Sequence, residues 1–492
     1  MHDVIIVGGG IGGLYTAWRL ATSTTLTVLV LEAEKEFGGR YLTCEMPGGH
    51  MAGFGAMRFL PSRHKILYKL IKDLNLDIEA FWGEEESKDK KLIGFYKNTP
   101  IYCEDDYRRV YSLTENDLPY LNPEDYDFQI KAPENGNLFE GTVRETGQKA
   151  KDMSLRQYYS YAPNTDVLGR SFMLHTMDIS VAAAAMFAKK HKDFDPLEQD
   201  YCVKGGMIGL TKKLVSNLNK MDNVTLLAGE AAAEVTESGD VFKVATVSSA
   251  EPFTGKKLIL ACNRSGIESI IWNCPSRRNM EFRELFSNTI SLKSTKVFLT
   301  YTDAWWEDVG LVSGRFETDL PISCVAARGG QGKMGGYATL LAAYTFTCSD
   351  VFEGLNQSRY ERFKPSAGNV PSEYLPSQKL VDFVQQQLCT VFGLKSIPAP
   401  VGASIKIWDS KRVSGGSLSQ IGVDSYQLQF KTLKPFPEAE IYIAGDVFFA
   451  STKDGAFYGW SEGSLITSER ILVSHFGLSP FCTEVNLNNE FP

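Results

Sequence analysis

The chain has 492 residues, 43% of them hydrophobic and 22% charged, and its formal net charge is −8. This composition is typical of a globular enzyme of about two or three domains, and the acidic balance argues against nucleic acid or an anionic membrane as a partner. No apolar run approaches the roughly 18 residues that cross a bilayer. Nine scattered cysteines favour free, mostly buried thiols in a reducing compartment, and six isolated histidines indicate no metal site.

Residues 3–40 contain the pattern of a dinucleotide-binding unit. The apolar run at 3–7 predicts a buried strand, 14–21 predicts a helix, and 25–31 predicts a second strand. Glu32 stands at the end of the second strand, about where a ribose hydroxyl needs an acceptor. This order of elements favours a nucleotide site over an ordinary glycine-rich turn.

Three glycines between the first strand and the helix complete the pattern. Gly8, Gly10 and Gly13 form the motif G-x-G-x-x-G. Gly8 permits a tight turn, Gly10 lets a pyrophosphate approach the backbone, and Gly13 lets the helix pack close to the strand. The N–H groups and the dipole at the helix N-terminus would face the phosphates. The motif alone does not distinguish NAD from FAD.

The rest of the chain alternates between helical and strand-like patterns. We predict helices at 62–76, 178–191, 205–220, 380–392 and 459–473, strands at 92–96, 101–103, 224–227, 241–247, 257–261, 296–301, 337–346, 405–408 and 441–444, and a solvated charged loop at 84–91. Strand signals fade over residues 102–200, which we interpret as a helical insertion. No internal repeat is visible, which argues against a solenoid.

A second signal lies near the C-terminus. The strand at 441–444 ends at Gly445 and Asp446, and Gly459-Trp460 then leads into a predicted helix. A carboxylate at a strand end can accept ribityl or ribose hydroxyls. The N-terminus of a helix can stabilise negative charge on a reduced flavin ring.

These two signals resemble the flavin amine oxidase family. The spacing from Glu32 to Gly38-Gly39-Arg40 is similar to the family pattern E-x-x-x-x-x-G-G-R, in which Arg40 would add a cation near the pyrophosphate. Gly459, Trp460 and Gly463 match the family's GW step, whereas Asp446 stands where the family usually has Glu. The resemblance implies FAD as the cofactor.

Two further segments resemble L-amino-acid oxidases. GAMRFLPSRH at 55–64 is similar to the segment that supplies an arginine to the substrate's α-carboxylate, a role that falls on Arg58. From the residues alone, Arg58 is equally compatible with a surface charge beside a helix. The predicted strand at 296–301 carries Lys296, on which the resemblance places a lysine that holds a water against flavin N5 and aids oxygen reduction. Its position inside an apolar strand favours that role over a strand-edge lysine.

The resemblance also implies the remaining site residues. Tyr344 would bind the carboxylate through its hydroxyl, Trp460 would form one cavity wall, and Trp408 would form another wall or pack in the core. No residue is identified as a catalytic base. The implied substrate-binding residues are Arg58, Tyr344, Gly459, Trp460 and Trp408, and the implied cofactor-binding residues are Gly8, Gly10, Gly12, Gly13, Glu32, Gly39, Arg40, Gly55, Ala56, Met57, Arg58, Ala232, Gly445, Asp446, Trp460, Gly463, Ser464 and Leu465.

The resemblance implies an α/β fold of the flavin amine oxidase and glutathione-reductase type. We expect a discontinuous Rossmann-like FAD-binding domain with a mixed-sheet substrate-binding domain and a helical domain. The FAD-binding domain takes residues 1–40, 201–291 and 435–492, the substrate-binding domain takes 41–101 and 292–434, and the helical domain takes 102–200.

The implied activity is FAD-dependent oxidation of an L-amino acid to the 2-oxo acid, ammonia and hydrogen peroxide, with hydride transfer from Cα to flavin N5. The alternatives are an amino-acid 2-monooxygenase, an amine oxidase for carboxylate-free amines, and a non-catalytic FAD-binding protein. The expected partners are an L-amino acid and O2, without nucleic acid or membrane, and a homodimer is one expected assembly. The expected location is cytoplasmic, with a removed leader as the open alternative. The preferred side chain is not readable.

Overall fold

The computed structural model describes most of the chain. The described residues are 1–83, 92–117, 127–134, 138, 140–162, 180–182, 185, 199–274, 286, 289–291, 293–408, 419–421, 432–446, 460–485 and 487. The predicted loop at 84–91, most of the predicted helix at 178–191, and Gly459 therefore lie outside the described residues.

The α-helices among the described residues are between five and 16 residues long. They are α1 (Ile11–Ser23), α2 (Lys65–Asp73), α3 (Glu104–Tyr111), α4 (Leu155–Tyr159), α5 (Ile208–Leu218), α6 (Arg264–Glu268), α7 (Ser349–Leu355), α8 (Gln378–Phe392) and α9 (Ser461–Phe476). None of them, within the described residues, combines the length and the apolar character that crossing a lipid bilayer requires.

The strands contribute to two large sheets and several two-stranded ones. In chain order they are β1 (His2–Val7), β2 (Val28–Glu32), β3 (Thr43–Glu45), β4 (Met51–Gly53), β5 (Ile78–Ala80), β6 (Gly94–Tyr96), β7 (Thr99–Ile101), β8 (Ile130–Lys131), β9 (Thr142–Val143), β10 (Tyr201–Val203), β11 (Val224–Ala228), β12 (Ala232–Ser238), β13 (Val241–Thr246), β14 (Phe253–Leu260), β15 (Ile271–Asn273), β16 (Thr289–Ser291), β17 (Ser294–Tyr301), β18 (Ser313–Thr318), β19 (Cys324–Arg328), β20 (Lys333–Met334), β21 (Tyr337–Thr345), β22 (Gly402–Trp408), β23 (Ser419–Ile421) and β24 (Ile441–Ile443).

The first large sheet has a parallel core of Rossmann type. Its order is β11-β2-β1-β14-β13-β12-β15, and β24 also pairs with β14. The pairs β11/β2, β1/β2, β1/β14 and β14/β24 are parallel, whereas β13 is antiparallel to both of its neighbours. Strands β1 and β2 are buried on both faces because helices α1, α5 and α9 cover one face and a second apolar cluster covers the other.

The second large sheet is mostly antiparallel. Its order is β22-β17-β21-β19-β18-β6-β7, with β20 at the side of β21. One face packs against α8, whose buried side chains lie at helical spacing. The other face carries Lys296 and Phe298, and it packs against β3, β4 and the segment that follows them. Side chains of β17 therefore point alternately into an apolar core on one side of the sheet and toward a side that also carries the polar Lys296.

Two differences from the sequence prediction have clear physical reasons. Helix α1 begins at Ile11 rather than residue 14, because Gly12 and Gly13 lie inside its first turn against neighbouring backbone and side chains. Strands β12, β18 and β19 were not predicted, because residues such as Ala, Glu, Gly, Ser and Arg outnumber β-branched and aromatic residues in each of them. All nine cysteines are free thiols, as predicted. The division of the chain into three domains stays a prediction.

The two ends of the chain meet at a buried ion pair. Glu469 on α9 accepts hydrogen bonds from Arg19 Nε at 2.8 Å and from Tyr15 Oη at 2.9 Å, both on α1. The same carboxylate accepts from the backbone N–H of Phe481 at 2.9 Å, and Arg19 donates to the carbonyl of Ser479 at 2.7 Å. One carboxylate thus joins α1, α9 and the segment after α9.

We predict that Glu469→Ala lowers the free energy of unfolding by about 3–5 kcal/mol, because it leaves Arg19 buried without its counter-charge. Thermal and urea unfolding monitored by circular dichroism would measure the loss. The double variant Arg19→Met/Glu469→Met should recover much of it. Asp73→Asn, which breaks the exposed Lys69–Asp73 pair, is the matched control and should cost less than about 1 kcal/mol. Equal losses in the two single variants would contradict the prediction.

Candidate active site

The glycine motif forms the turn between β1 and α1. Gly8 has φ +110°, and a Cβ on Gly13 would lie 1.9 Å from the Gly8 carbonyl oxygen, so a side chain is excluded there. A Cβ on Gly12 would lie 2.4 Å from Ser464 Oγ on α9. Gly10 differs, because a Cβ there would meet no atom within 4 Å. The motif is therefore tight on the protein side and open at Gly10.

Glu32 lies at the end of β2 beside this turn. Its carboxylate accepts the backbone N–H of Gly9 at 2.7 Å and that of Glu34 at 2.8 Å. Burial raises the pKa of Glu32, and the two backbone N–H groups oppose that rise. The segment before Ala232 lies alongside, since the N–H of Glu230 donates to the Glu32 carbonyl at 2.7 Å. Ala232 itself begins β12.

Arg40 and Asp446 form an ion pair across 406 positions of sequence. Arg40 Nη1 lies 3.0 Å from Asp446 Oδ2, and Nη2 contacts Oδ1, which gives a two-point pairing. Asp446 follows Gly445, whose N–H donates to Thr467 Oγ1 on α9 at 3.0 Å. The two residues predicted to contact different parts of the cofactor are therefore neighbours.

The residues around this site fit a dinucleotide cofactor. Gly10 is the N-cap of α1 and has no side-chain cap, so the helix start offers N–H groups and the positive end of its dipole toward open space. Glu32 supplies an acceptor at the position where ribose hydroxyls bind in such folds. Arg40, which is paired with Asp446, would be the cation nearest to a pyrophosphate bound there. The predicted nucleotide residues are thus assembled at one place.

The N-terminus of α9 contacts residues 64–67 at the start of α2, which we call the substrate-side segment. Trp460 is the N-cap of α9, and its ring lies 4.8 Å from that of His64. Glu462 is buried in the first turn and accepts the backbone N–H groups of Ile66 at 2.8 Å and Leu67 at 2.9 Å, at the start of α2. A carboxylate at a helix N-terminus is favourable. Gly463, Ser464 and Leu465 are buried in the same turn.

Gly55, Ala56 and Met57 follow β4 and lie against the Arg40 segment. The Ala56 N–H donates to the Arg40 carbonyl at 2.9 Å, and a Cβ on Gly55 would lie 1.8 Å from that same oxygen. Only glycine therefore fits at position 55. A Cβ on Gly39 would lie 3.3 Å from the Gly10 Cα, which places Gly39 beside the glycine motif.

Arg58 lies in an aromatic cleft with a carboxylate at one end. Its guanidinium carbon is 5.9 Å from the centre of the Trp82 ring and 5.7 Å from that of Trp460. Arg58 Nη1 contacts Asp200 Oδ2, and Trp82 Nε1 donates to the same oxygen at 2.8 Å. Arg58 has no further hydrogen-bond partner within the described residues. Arg58 is therefore an anchored, partly buried cation rather than a free surface charge.

Lys296 is buried in the middle of β17 and reaches the segment that precedes Arg58. Its Nζ donates to the carbonyl of Gly55 at 2.8 Å and to that of Gly53 at 3.2 Å. Burial, and secondly the charge of Arg58, lower the pKa of Lys296 to about 7. Its amino group can therefore interconvert between the charged ammonium and the neutral amine near neutral pH.

Tyr344 and Trp408 lie on the strands that flank β17. Tyr344 pairs with Lys296 in register, and its ring centre is 4.8 Å from Lys296 Nζ. Burial raises the pKa of Tyr344, so its hydroxyl remains protonated. Trp408 is buried in an apolar cluster, and its Nε1 donates to the Phe54 carbonyl at 3.0 Å. Trp408 therefore has the contacts of a core residue.

Sequence reasoning did not identify Trp82, Asp200 or Glu462. Trp82 and Asp200 lie next to a charged run and at the edge of the predicted insertion, where no motif draws attention to them. Glu462 stands inside the matched GW segment, so its position was the only available signal. His175 and His191, two histidines of the predicted helical insertion, lie outside the described residues.

A protein-family model for flavin-containing amine oxidoreductases matches residues 11–462. The chain belongs to this family. The match begins at Ile11, the first residue of α1, just after Gly8 and Gly10 of the glycine motif, and ends at Glu462 in the first turn of α9. Family membership confirms the predicted class of oxidoreductase and its flavin cofactor, FAD.

Several curated relatives are L-amino-acid oxidases. The chain is 22% identical over 499 residues to the L-amino-acid oxidase of Naja atra, covering 95% of this chain and 86% of that protein. It is 24% identical over 485 residues to the L-amino-acid oxidase of Demansia vestigiata, covering 94% and 84%. It is 22% identical over 543 residues to achacin of Lissachatina fulica, covering 96% and 93%.

The solved structures give the same fold. Wild-type putrescine oxidase bound to putrescine superposes with a TM-score of 0.70 at 17% identity, covering 97% of this chain and 99% of that one. A single-substitution variant of putrescine oxidase, from a redesign of its cofactor binding, gives the same TM-score, identity and coverage. This likeness confirms the predicted α/β flavin amine oxidase fold.

We predict that Gly10→Ala and Gly13→Ala separate cofactor binding from folding. Gly10→Ala should leave the thermal midpoint of the apoprotein nearly unchanged but weaken FAD binding at least about tenfold, because its methyl group enters the open space at the phosphate end. Gly13→Ala should destabilise the apoprotein itself by about 1–3 kcal/mol through its clash with Gly8. Titration of apoprotein with FAD, alongside thermal unfolding, would measure both effects. Unchanged FAD affinity in Gly10→Ala would be inconsistent with this site.

Proposed function

We propose that the protein oxidises an L-amino acid to the 2-oxo acid, ammonia and hydrogen peroxide, with Arg58 as the anchor of the α-carboxylate. The observation that carries the proposal is the Arg58 side chain itself. A partly buried guanidinium lies beside the rings of two tryptophans, and one of its edges has no hydrogen-bond partner among the described residues. Such a planar fork suits a carboxylate. The relatives named L-amino-acid oxidases support the same substrate class.

The cofactor and the chain have separate shares in this reaction. Bound FAD would accept two electrons from the substrate and deliver them to O2. The side chains of the protein would bind the substrate, orient it toward the cofactor and polarise its reacting bonds. Arg58 would hold the carboxylate, while the protonated hydroxyl of Tyr344 would donate a further hydrogen bond to it. Trp460 would close the cleft on one side.

Lys296 would supply a switchable charge close to this cleft. Its ammonium group is held by the carbonyls of Gly53 and Gly55, the residues that lead into Arg58. When protonated, Lys296 places a positive charge where negative charge develops as oxygen is reduced. Because its pKa is about 7, this charge is present at acidic pH and is lost as the pH rises.

A second candidate function is oxidation of a carboxylate-free amine. The observation in its favour is Asp200, which already neutralises Arg58 and so weakens the case for an anionic substrate group. Comparing peroxide production from each of the twenty L-amino acids and from putrescine separates the two candidates. Assaying the amide and CO2 in the same reactions distinguishes an oxidase from an amino-acid 2-monooxygenase.

We predict that Arg58→Met lowers kcat/KM for the best L-amino acid by about 100-fold or more, because the charge-assisted hydrogen bonds to the carboxylate are lost. Oxygen-electrode assays of the FAD-loaded variant would measure it. Arg58→Met/Asp200→Asn is the matched control, since it removes the unpaired Asp200 charge that the single variant leaves behind. Turnover of the amino acid decarboxylated to its amine should change far less. Unaltered turnover of L-amino acids in both variants would rule out the anchor role.

We predict that the second-order rate constant for O2 falls as the pH rises through about 7, because Lys296 loses its positive charge there. Lys296→Met should react with O2 about 10–100-fold more slowly at pH 6 and should show no transition near neutrality. Stopped-flow mixing of the substrate-reduced enzyme with oxygenated buffer across about pH 5.5–9, a range that spans the pKa of Lys296, would test this. A transition near pH 7 that persists in Lys296→Met would assign it to another group.

A further inference from the structure

Asp200 is built into the wall of the Arg58 cleft. Its backbone carbonyl accepts the N–H of Phe81 at 2.8 Å, and the next residue, Tyr201, bridges to Phe59, which directly follows Arg58. The backbone therefore fixes the carboxylate beside the guanidinium. About nine-tenths of the Asp200 side chain is buried. This carboxylate belongs to the architecture of the cleft rather than to a mobile surface.

The Asp200 carboxylate uses one oxygen for all its contacts. Oδ2 contacts Arg58 Nη1 and accepts from Trp82 Nε1, whereas Oδ1 is buried without a hydrogen-bond partner among the described residues. The rings of Trp82 and Trp460 lie 5.9 Å and 5.7 Å from the guanidinium carbon of Arg58, and their apolar surfaces limit the water that could screen the charges. The Arg58–Asp200 pair is thus close to neutral, with one guanidinium edge left for a ligand.

We propose that Asp200 sets the charge selectivity of this cleft, so that Arg58 accepts the zwitterionic amino acid in preference to a simple carboxylate anion. The proposal rests on the proposed function. A carboxylate on the open edge of Arg58 faces Asp200 across the guanidinium, and like charges at such a separation repel by an amount worth about tenfold or more in affinity. An amino acid carries an ammonium group one carbon away, whose attraction to Asp200 offsets that repulsion.

The consequence concerns the product as much as the substrate. The 2-oxo acid keeps the carboxylate but has lost the nitrogen, so it meets the repulsion of Asp200 without the offsetting charge. Arg58 alone would bind the substrate and the 2-oxo acid through the same contact. The Arg58–Asp200 pair separates them by charge, and the enzyme is expected to be weakly inhibited by its own 2-oxo acid.

The test compares matched ligands with and without the ammonium group in the FAD-loaded enzyme. The pairs are L-phenylalanine with 3-phenylpropanoate, and L-leucine with 4-methylpentanoate. Dissociation constants come from perturbation of the flavin spectrum for the carboxylates and from anaerobic reduction kinetics for the amino acids. The variants are Asp200→Asn, which removes the charge and keeps an oxygen for Trp82, and Asp200→Glu, which restores the charge. Asp73→Asn on the distant pair with Lys69 is the matched control and should behave like wild type.

We expect Asp200→Asn to bind the simple carboxylates about tenfold more tightly and to change the dissociation constants of the amino acids by less than about threefold. Asp200→Glu should bind the simple carboxylates as weakly as the wild type does. Inhibition by phenylpyruvate should tighten in parallel with 3-phenylpropanoate. Weaker binding of both ligand classes in Asp200→Asn would mean that Asp200 only positions Arg58, and this would overturn the proposal, as would no change in either class.

Failure of the proposed function looks different. In that case wild-type enzyme turns over putrescine but no L-amino acid, and Arg58→Met leaves carboxylate binding unchanged. That combination overturns the charge-selectivity proposal together with the anchor role of Arg58.

If the Asp200→Asn variant does not fold, Trp82→Phe is used in its place. Trp82→Phe removes the indole N–H donor to Asp200 and keeps an aromatic ring beside Arg58. Without that donor the negative charge of Asp200 is less stabilised by its surroundings, so the simple carboxylates should bind more weakly relative to L-phenylalanine. An unchanged ratio would count against the proposal.

Discussion

The close approach of α1 to β1 and α9 is the constraint on which the rest of the structure depends. Gly13 lies against the Gly8 carbonyl and Gly12 against Ser464, at distances that no side chain would allow. This contact fixes where α9 begins, and hence where Trp460 and Glu462 lie. Glu462 in turn holds the start of α2. A requirement for nucleotide binding at the N-terminus therefore also positions the substrate-side segment.

Two polar side chains of the second large sheet, Lys296 and Trp408, donate hydrogen bonds to the backbone of the segment before Arg58. Lys296 crosses from β17 to the carbonyls of Gly53 and Gly55, and Gly55 is also confined by the Arg40 carbonyl. The loop before Arg58 is thus held from both sides, by the nucleotide-side residue Arg40 and by the second sheet. Its geometry depends on backbone oxygens, which explains why glycine rather than a particular side chain is required at position 55.

The sequence was sufficient where a local pattern has one physical meaning. The glycine motif, Glu32 and the buried strand around Lys296 were predicted because strand, turn and helix signals agree there. Ion pairs between residues hundreds of positions apart were not predictable, because no local pattern around one residue indicates which distant residue will pair with it. Arg40 was expected at the pyrophosphate and Asp446 at hydroxyl groups, yet they pair with each other. Asp200 could only be found once the fold had brought it to Arg58.

The positive charges of Arg58 and Lys296 are balanced in different ways, and this difference suits the two residues to different roles. Arg58 has a carboxylate partner, and a guanidinium stays charged at any physiological pH, so it is suited to a constant binding role. Lys296 has two backbone carbonyls as its hydrogen-bond partners among the described residues, and burial beside Arg58 disfavours its charged form. A carboxylate beside Lys296 would remove its ability to titrate near neutrality. Placing the carboxylate beside Arg58 instead leaves one cation fixed and the other responsive to pH.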